Sequence, residues 1–347
     1  MIRRVQMNIN YGNKGKLDSL EEIFNESKRV INLYIDMLWK KKDFKSKFVQ
    51  FKVDTWLSAR LQQCLGKQAL EIVKSQRKRH KKIKPFFNKS VINLDSRFVD
   101  IQFEDNKLYD TWIKLNSLGN KLKLILPSKK HKHFHKYADW KLKDSIRLRK
   151  SEDKFYIDFY FEKESPNLKE VGKDIGIDIG YKKLIITSEN KVLDTGLEKV
   201  YIKLSRKKQG SKRFKKTLVE RDNKINESIN KLNFDELKNI VVEDLKNVKK
   251  NSKGKIYKKF NNKLQRWSYS KVLNRLSLHC EEKGIGFTKV NPAYTSQTCS
   301  KCGFIHKNNR LGEHFLCINC SFETDADFNA SVNILQRGIY SSSSVLN

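Results

Sequence analysis

The sequence predicts a multidomain architecture: an N-terminal β-barrel interrupted by a helical block, then an α/β half carrying a small cysteine-bounded insert. Three observations predict it. Apolar residues recur at three- and four-residue spacing early in the chain, and at a spacing of two from about Ser90 to Glu162. Beyond that point, short apolar runs alternate with helical stretches, and two C-x-x-C pairs lie near the C-terminus.

The elements follow in order. The opening MIRRVQMNI alternates like a strand and fits the barrel as one more strand, which makes the helical block an insertion. Leu20, Ile23, Phe24, Ile31, Tyr34, Met37 and Leu38 mark an amphipathic helix, and a second runs from about Trp56 to Val73. Lys74 to Lys89 then carries eight cations and no acid. Within it, Arg77, Lys78, Arg79, Lys81, Lys82 and Lys84 are expected to contact phosphates, with Phe86 and Phe87 placed either for base stacking or for a core. The barrel strands are expected at Val99, Ile101 and Phe103, at Leu122, Leu124 and Leu126, at Ile146 and Leu148, and at Phe155, Ile157, Phe159 and Phe161. The cluster HKHFH from His131 to His135 reads as a solvated or nucleic-acid-facing loop before it reads as a metal site.

Asn167 to Lys173 is a linker candidate. Strand-like runs follow at Asp174 to Gly180, Leu184 to Thr187 and Asn239 to Glu243. Between them Tyr201 to Lys231 holds eleven Lys and Arg against three acids, and Lys246 to Lys263 holds eight Lys and no acid, including the Lys258-Lys-Phe step. Helical spacing returns from Leu264 to Leu278, and a final helical stretch follows the cysteines.

Composition narrows the function. The 347 residues carry 73 Lys and Arg against 39 Asp and Glu, a formal charge of +34. Such a field repels itself unless a polyanion neutralises it, so nucleic acid is the expected partner. A hydrophobic content of 38% with 20 Phe, 12 Tyr and 5 Trp supports packed cores and argues against a disordered basic tail. No apolar run approaches the roughly 20 residues of a membrane span and no signal-peptide core opens the chain, so a cytoplasmic, unexported protein is expected.

Two constellations carry chemistry. Cys299-x-x-Cys302, fourteen residues, then Cys317-x-x-Cys320 is the spacing of a tetrahedral four-cysteine zinc ribbon. Four cysteines complete that shell, which leaves His306 and His314 as surface residues. A closed site is structural, so the ribbon says nothing about catalysis. The acids are scarcer. Asp178 stands in GIDIG, Glu243 ends the run IVVE, and Asp327 precedes a helix in DADFNAS. Three carboxylates delivered from two strands and a helix start can hold a pair of Mg2+ or Mn2+ ions, the arrangement that stabilises both oxygens at a phosphodiester. Asp174 and Asp325 are further acids that share strand alternation with them.

The same residues carry a family resemblance. PAYTSQTCSKCG from Pro292 to Gly303, Asn309-Arg310, the second C-x-x-C, and Asp327-Phe-Asn329-Ala330-x-x-Asn333-Ile334 resemble the C-terminal signature of TnpB, the transposon-encoded RNA-guided nuclease family related to type V CRISPR effectors. Gly176 to Leu184 (GIDIGYKKL) and Val241 to Val248 (VVEDLKNV) match upstream in the right order, so the motif-bearing part spans Asp174 to Gln336. The resemblance implies a RuvC-like, RNase H-type nuclease domain over 171–298 and 321–340, with the ribbon at 299–320 and a tail at 341–347. It implies a wedge barrel at 1–10 and 90–170 with a helical recognition insert at 11–89. It further implies that Asp178, Glu243 and Asp327 hold the catalytic Mg2+ pair, that Arg310 contacts the scissile phosphate, and that the ribbon helps guide target DNA. The expected partners are a transposon-derived guide RNA and single- or double-stranded target DNA in a prokaryotic cytoplasm, near the nucleoid, with monomer and dimer both open. The alternatives are a compact type V CRISPR effector, a guide-directed repressor that does not cut, and a guide-independent resolvase. Ser321 and Ser331 stand where the family has glycine and alanine. Both are small, so the fold is expected to tolerate them.

Overall fold

A computed structural model describes residues 1–41, 49, 51–79, 83–104, 108–246 and 267–343, with side chains described through residue 340. Lys81, Lys82, Lys258, Lys259 and most of the 246–263 basic run lie outside the described residues. The chain divides into two compact units, Met1–Glu164 and Ser165–Asn347.

In the first unit, strand β1 (Ile2–Asn8) leads into helices α1 (Lys14–Lys40) and α2 (Ala59–Lys78). The helices start where side chains satisfy free backbone N–H groups: Asn13 accepts from Lys16 N, and Ser58 accepts from Leu61 N. Their apolar stripes, Leu20, Ile23, Phe24, Ile31, Tyr34 and Leu38 on α1 and Leu61, Leu65, Ala69 and Val73 on α2, are buried in one core with the strands.

The strands are β2 (Val91–Leu94), β3 (Val99–Phe103), β4 (Thr111–Leu115), β5 (Leu124–Ser128), β6 (Lys141–Leu142), β7 (Ile146–Ser151) and β8 (Lys154–Glu162), with the short helix α3 (Lys132–His135) between β5 and β6. β1 pairs antiparallel with β8, Val5 opposite Phe159, in a sheet ordered β1-β8-β7-β2, with β6 also on β8. The helical pair is therefore inserted between two strands of one sheet. β3, β4 and β5 form a second antiparallel sheet. The period-two residues thus build two separately hydrogen-bonded sheets that share a core.

The basic segment from the end of α2 onward divides by environment. Arg77 donates to the carbonyls of Trp39 (3.0 Å) and Lys41 (2.6 Å) at the end of α1, and Lys84 pairs with Asp36 (2.6 Å). Lys78 and Arg79 are exposed. Phe87 is 8% exposed in the core, whereas Phe86 is 75% exposed.

The second unit is built on a mixed sheet of β9 (Lys173–Asp178), β10 (Ile185–Thr187), β11 (Val192–Leu193), β12 (Leu237–Glu243) and β13 (Gly286–Val290), ordered β11-β10-β9-β12-β13. β9, β10 and β11 meander antiparallel, while β12 runs parallel to both β9 and β13. Parallel neighbours need long crossovers. α4 (Leu197–Ser205) and α5 (Lys212–Asn230) lie in the connection before β12, and α6 (Tyr269–Lys283) lies in the one after it. The cationic run from Tyr201 is thus largely helical, with Thr217, Ile225, Ser228 and Ile229 of α5 buried. A three-stranded ribbon follows, β14 (Arg310–Leu311), β15 (His314–Leu316) and β16 (Glu323–Asp325). Helix α7 (Ala326–Ser343) then packs on β9, β10, β12 and β13. Among the described residues no helix is long and apolar enough to cross a membrane.

Candidate active site and metal centre

β9 and β12 are parallel neighbours, and each ends in an acid. Val242 stands opposite Ile177, so one further step brings Glu243 alongside Asp178 at the carboxyl end of the sheet. Ligands of open α/β sheets collect at that end. Asp327 lies in the first turn of α7, which crosses this region because Gly176 has no side chain. A Cβ at Gly176 would meet the Ser331 carbonyl oxygen at 2.1 Å. Two strand ends and a helix start thereby deliver three carboxylates to one region.

Their electrostatics follow from this arrangement. The Asp178 carboxyl is pushed up to about 8, first by burial and then by the charges of Glu243 and Asp327, against the pull of Arg310. Glu243 is raised by burial, opposed by a hydrogen bond from the Thr295 hydroxyl and by Arg337 and Arg310. Arg310 places one guanidinium nitrogen 2.7 Å from Asp327 Oδ1 and donates from Nε to the Gly312 carbonyl at 3.0 Å. The candidate arginine of the sequence thus belongs to the same cluster as the acids.

The two further acids have other duties. Asp174 pairs with Lys238 at 3.6 Å. Asp325 accepts from the backbone N–H groups of Asp327 and Phe328, both at 3.0 Å, and pairs with Lys183 at 2.6 Å. It caps α7 and so holds Asp327 in place.

The cysteines converge. Their ligand atoms all lie within 4.8 Å of one another, with Cys299 Sγ 3.7 Å from Cys320 Sγ and Cys302 Sγ 3.7 Å from Cys317 Sγ. A disulfide needs about 2.05 Å. A tetrahedron of Zn–S bonds of about 2.3 Å has S···S edges of about 3.8 Å, so the four thiols are spaced for a zinc ion. Two similar turns set that spacing: Gly303 N donates to Cys299 O and Ser321 N to Cys317 O, each at 2.9 Å. The backbone N–H of Phe304 lowers the Cys302 thiol to about 6, whereas burial pushes Cys299 up to about 12, so Cys302 is the readier thiolate of the four-sulfur cluster and Cys299 would lose its proton to a bound cation.

Among the described residues, the cysteines are the group of three or more His, Cys, Asp or Glu side chains gathered tightly enough to hold an ion. The three carboxylates are less tightly drawn together. His306 caps a short turn by accepting from Asn308 N, and His314 contacts Glu323. In HKHFH, His131 contacts the Gln6 carbonyl at 2.8 Å, and Phe134 is buried.

The fold accommodates Ser321, and the backbone adds a reason why glycine suits the position. Its φ is +57°, in the left-handed region that glycine occupies without cost, as Gly303 does at +75° in the matching turn.

Several residues of the family-like motifs tie α7 to the loop that enters the ribbon and tie the ribbon together. Asn329 Nδ2 donates to Thr298 O (2.8 Å), and Asn333 Nδ2 donates to the carbonyls of Thr295 (3.0 Å) and Thr298 (2.7 Å). One helical turn apart on α7, they fix the loop that carries both Thr295 and Cys299. Asn309 joins the two cysteine turns, donating to Gln297 O and accepting from Ile318 N. Thr295 and Lys183 lie inside the family-like motifs with no role legible there, and Trp267, whose Nε1 donates to the Gly180 carbonyl at 3.0 Å, lies outside them.

The family model for the Cas12f1-like TNB domain matches residues 269–334, from α6 through the ribbon into α7. A CRISPR-associated endodeoxyribonuclease Cas12f1 of Sulfoacidibacillus thermotolerans is 44% identical over 72 residues, covering 20% of this chain and 17% of that protein. A TnpB-like protein of Aquifex aeolicus is 36% identical over 99 residues, covering 27% of this chain and 31% of that protein. The chain thus spans less than a third of the length of these relatives. Among solved structures, Cas12f1 in a complex with sgRNA and target DNA superposes with a TM-score of 0.58 over 92% of this chain and 81% of that one, at 16% identity, a likeness of fold. Family model and TnpB-like relative support a TnpB/Cas12f-type family for this chain, and the solved structure adds a likeness of fold.

Proposed function

We propose that the chain is an RNA-guided, divalent-metal-dependent DNA endonuclease whose second unit is a RuvC-like nuclease of RNase H type. The observation that carries the reading is the delivery of Asp178, Glu243 and Asp327 from β9, β12 and α7 to one end of the mixed sheet. Three carboxylates are hard oxygen donors suited to Mg2+ or Mn2+, and the raised proton affinity of Asp178 marks a crowding of negative charge that a cation relieves. When bound, such ions supply charge neutralisation at the attacking and leaving oxygens of an in-line displacement, which leaves 5′-phosphate and 3′-hydroxyl ends.

The chain's own residues prepare that chemistry. Thr295 orients the Glu243 carboxylate, Asp325 fixes the start of α7, and Arg310 holds a charged fork beside Asp327 where it can engage the scissile phosphate. The zinc ribbon, with zinc as structural ion, positions Arg310 and helps guide target DNA.

In this reading the first unit is the wedge barrel with its helical recognition insert. Lys78 and Arg79 of the insert are candidate phosphate contacts, together with Lys81 and Lys82. The charge of +34 suits a protein that cradles both a guide RNA and its DNA target. Pairing between guide and target strand selects the sequence, while the protein grips the heteroduplex by shape and charge and reads a short flanking motif. The setting is a prokaryotic cytoplasm.

The test is to purify the protein from its host locus, sequence the RNA that accompanies it, and assay cleavage of DNA matching that RNA. A transcript overlapping or abutting the gene, together with Mg2+-dependent cutting that Asp178→Ala abolishes without loss of RNA, is expected. RNA-free protein with full cleavage activity would overturn the proposal. The 44% identity to a Cas12f1 favours a second reading, a compact CRISPR effector, for which the accompanying RNA would carry CRISPR repeats. Guide-dependent DNA binding with no cutting would identify a repressor.

A further inference from the structure

We infer that Tyr294 is a base-stacking contact for the nucleic-acid strand held at the acid cluster. Tyr294 has a φ of +63°, a conformation that a residue with a bulky side chain rarely adopts. Its surroundings enforce that conformation. Its carbonyl accepts from Gln297 N (3.0 Å), Thr298 N (3.0 Å) and the Thr298 hydroxyl (2.8 Å). On either side, Arg337 donates to the carbonyls of Asn291 (2.9 Å) and Ala293 (2.6 Å), and Asn333 donates to that of Thr295 (3.0 Å). Backbone held off its preferred angles by this many bonds is characteristic of functional positions.

The strain does not bury the ring. Tyr294 is 60% exposed, while Thr295, the next residue, is 2% exposed and donates its hydroxyl to Glu243. A rigid turn thus fixes one residue on a candidate metal-binding carboxylate and displays its neighbour's aromatic face to solvent. The inference rests on the nuclease reading, in which the ligand beside Glu243 is a phosphodiester. The excess of cations attracts phosphates but does not hold a base. A flat, partly apolar ring one residue from the acid site supplies that contact without sequence preference.

The experiment uses the full-length chain with its accompanying RNA in an Asp178→Ala background, which separates binding from cutting. The probe is a single-stranded DNA oligonucleotide containing 2-aminopurine, and its affinity and fluorescence quenching are measured at several salt concentrations. Tyr294→Gly removes the ring and relieves the backbone, so its Tm should equal or exceed the parent's while its Kd rises about 5- to 150-fold and quenching is lost. Tyr294→Phe should keep affinity within about twofold. The loss should persist at high salt, unlike a phosphate contact. Unchanged quenching in Tyr294→Gly, or weaker binding in step with a lower Tm, would overturn the inference. If the parent chain, with Asp178 intact, carries no guide and does not cut, while Tyr294→Gly still loses quenching, the nuclease reading is refuted and the stacking contact stands.

Discussion

Gly176→Ala tests whether the close approach of α7 to β9 is what assembles the acid cluster. Gly176 lies two residues before Asp178, and its φ is not in the glycine-favouring region, so alanine brings no conformational strain of its own. The cost is contact. The new Cβ would lie 2.1 Å from the Ser331 carbonyl oxygen and 2.7 Å from the Leu335 nitrogen, both backbone atoms that cannot rotate away. Opening the shorter contact from 2.1 Å even to 3.0 Å requires 0.9 Å of relative movement between helix and strand. α7 carries Asp327 and β9 carries Asp178, so that movement falls between two proposed metal ligands. Overpacking of this kind costs about 1 to 3 kcal/mol. A displacement near 1 Å at a reacting centre lowers the rate by about 100-fold. Single-turnover cleavage and thermal unfolding should both register the change, with zinc content intact because the cysteine turns are untouched. A Gly176→Ala protein that cleaves at the parent rate would refute the packing argument.

Other expectations follow from the same geometry. Ser321→Gly should stabilise the ribbon by about 1 kcal/mol by removing a side chain from a φ of +57°, read as slower zinc release, and Gly303→Ala should do the reverse. Cys299→Ser should lose zinc and unfold the ribbon, as should a chelator acting on the parent, measured by metal content and by protease sensitivity after Val290. The pH dependence has a definite sign. Because the folded Asp178 carboxyl is raised to about 8, the metal-free folded state binds more protons than the unfolded chain between the ordinary carboxylate range and pH 8. Its stability should therefore fall as pH rises through that window. Asp178→Asn should flatten this slope, and Mg2+ should oppose it.

Much of the second unit is legible from the sequence because its signals are local. GIDIG and NIVVE read as strands, and they pair as β9 and β12. The two C-x-x-C pairs announce four clustered sulfurs. The period-two residues of the first half and the stripe of α1 read equally well, since burial imposes the pattern directly. What stayed hidden depends on distant contacts or on backbone angles. α5 buries few residues among many cations, so charge masks its helical period. Phe86 and Phe87 are adjacent and chemically identical, and only the packed unit separates the exposed ring from the core one. Asp325 and Asp327 look alike in the sequence, and their roles divide on which of them caps α7. Asn329 and Asn333 are ordinary polar residues until the loop they hold is folded against them. The left-handed φ of Ser321 is likewise hidden, because it is set by a turn whose partner atom lies four residues away.

The most direct test of the proposed acid site is to count Mn2+ ions bound to the zinc-loaded protein by electron paramagnetic resonance, in the parent and in Asp178→Ala, Glu243→Ala and Asp327→Ala. Loss of the same bound Mn2+ in all three variants, with zinc content unchanged, is the predicted result. Equal Mn2+ binding in parent and variants would mean that the three carboxylates do not form one cation site.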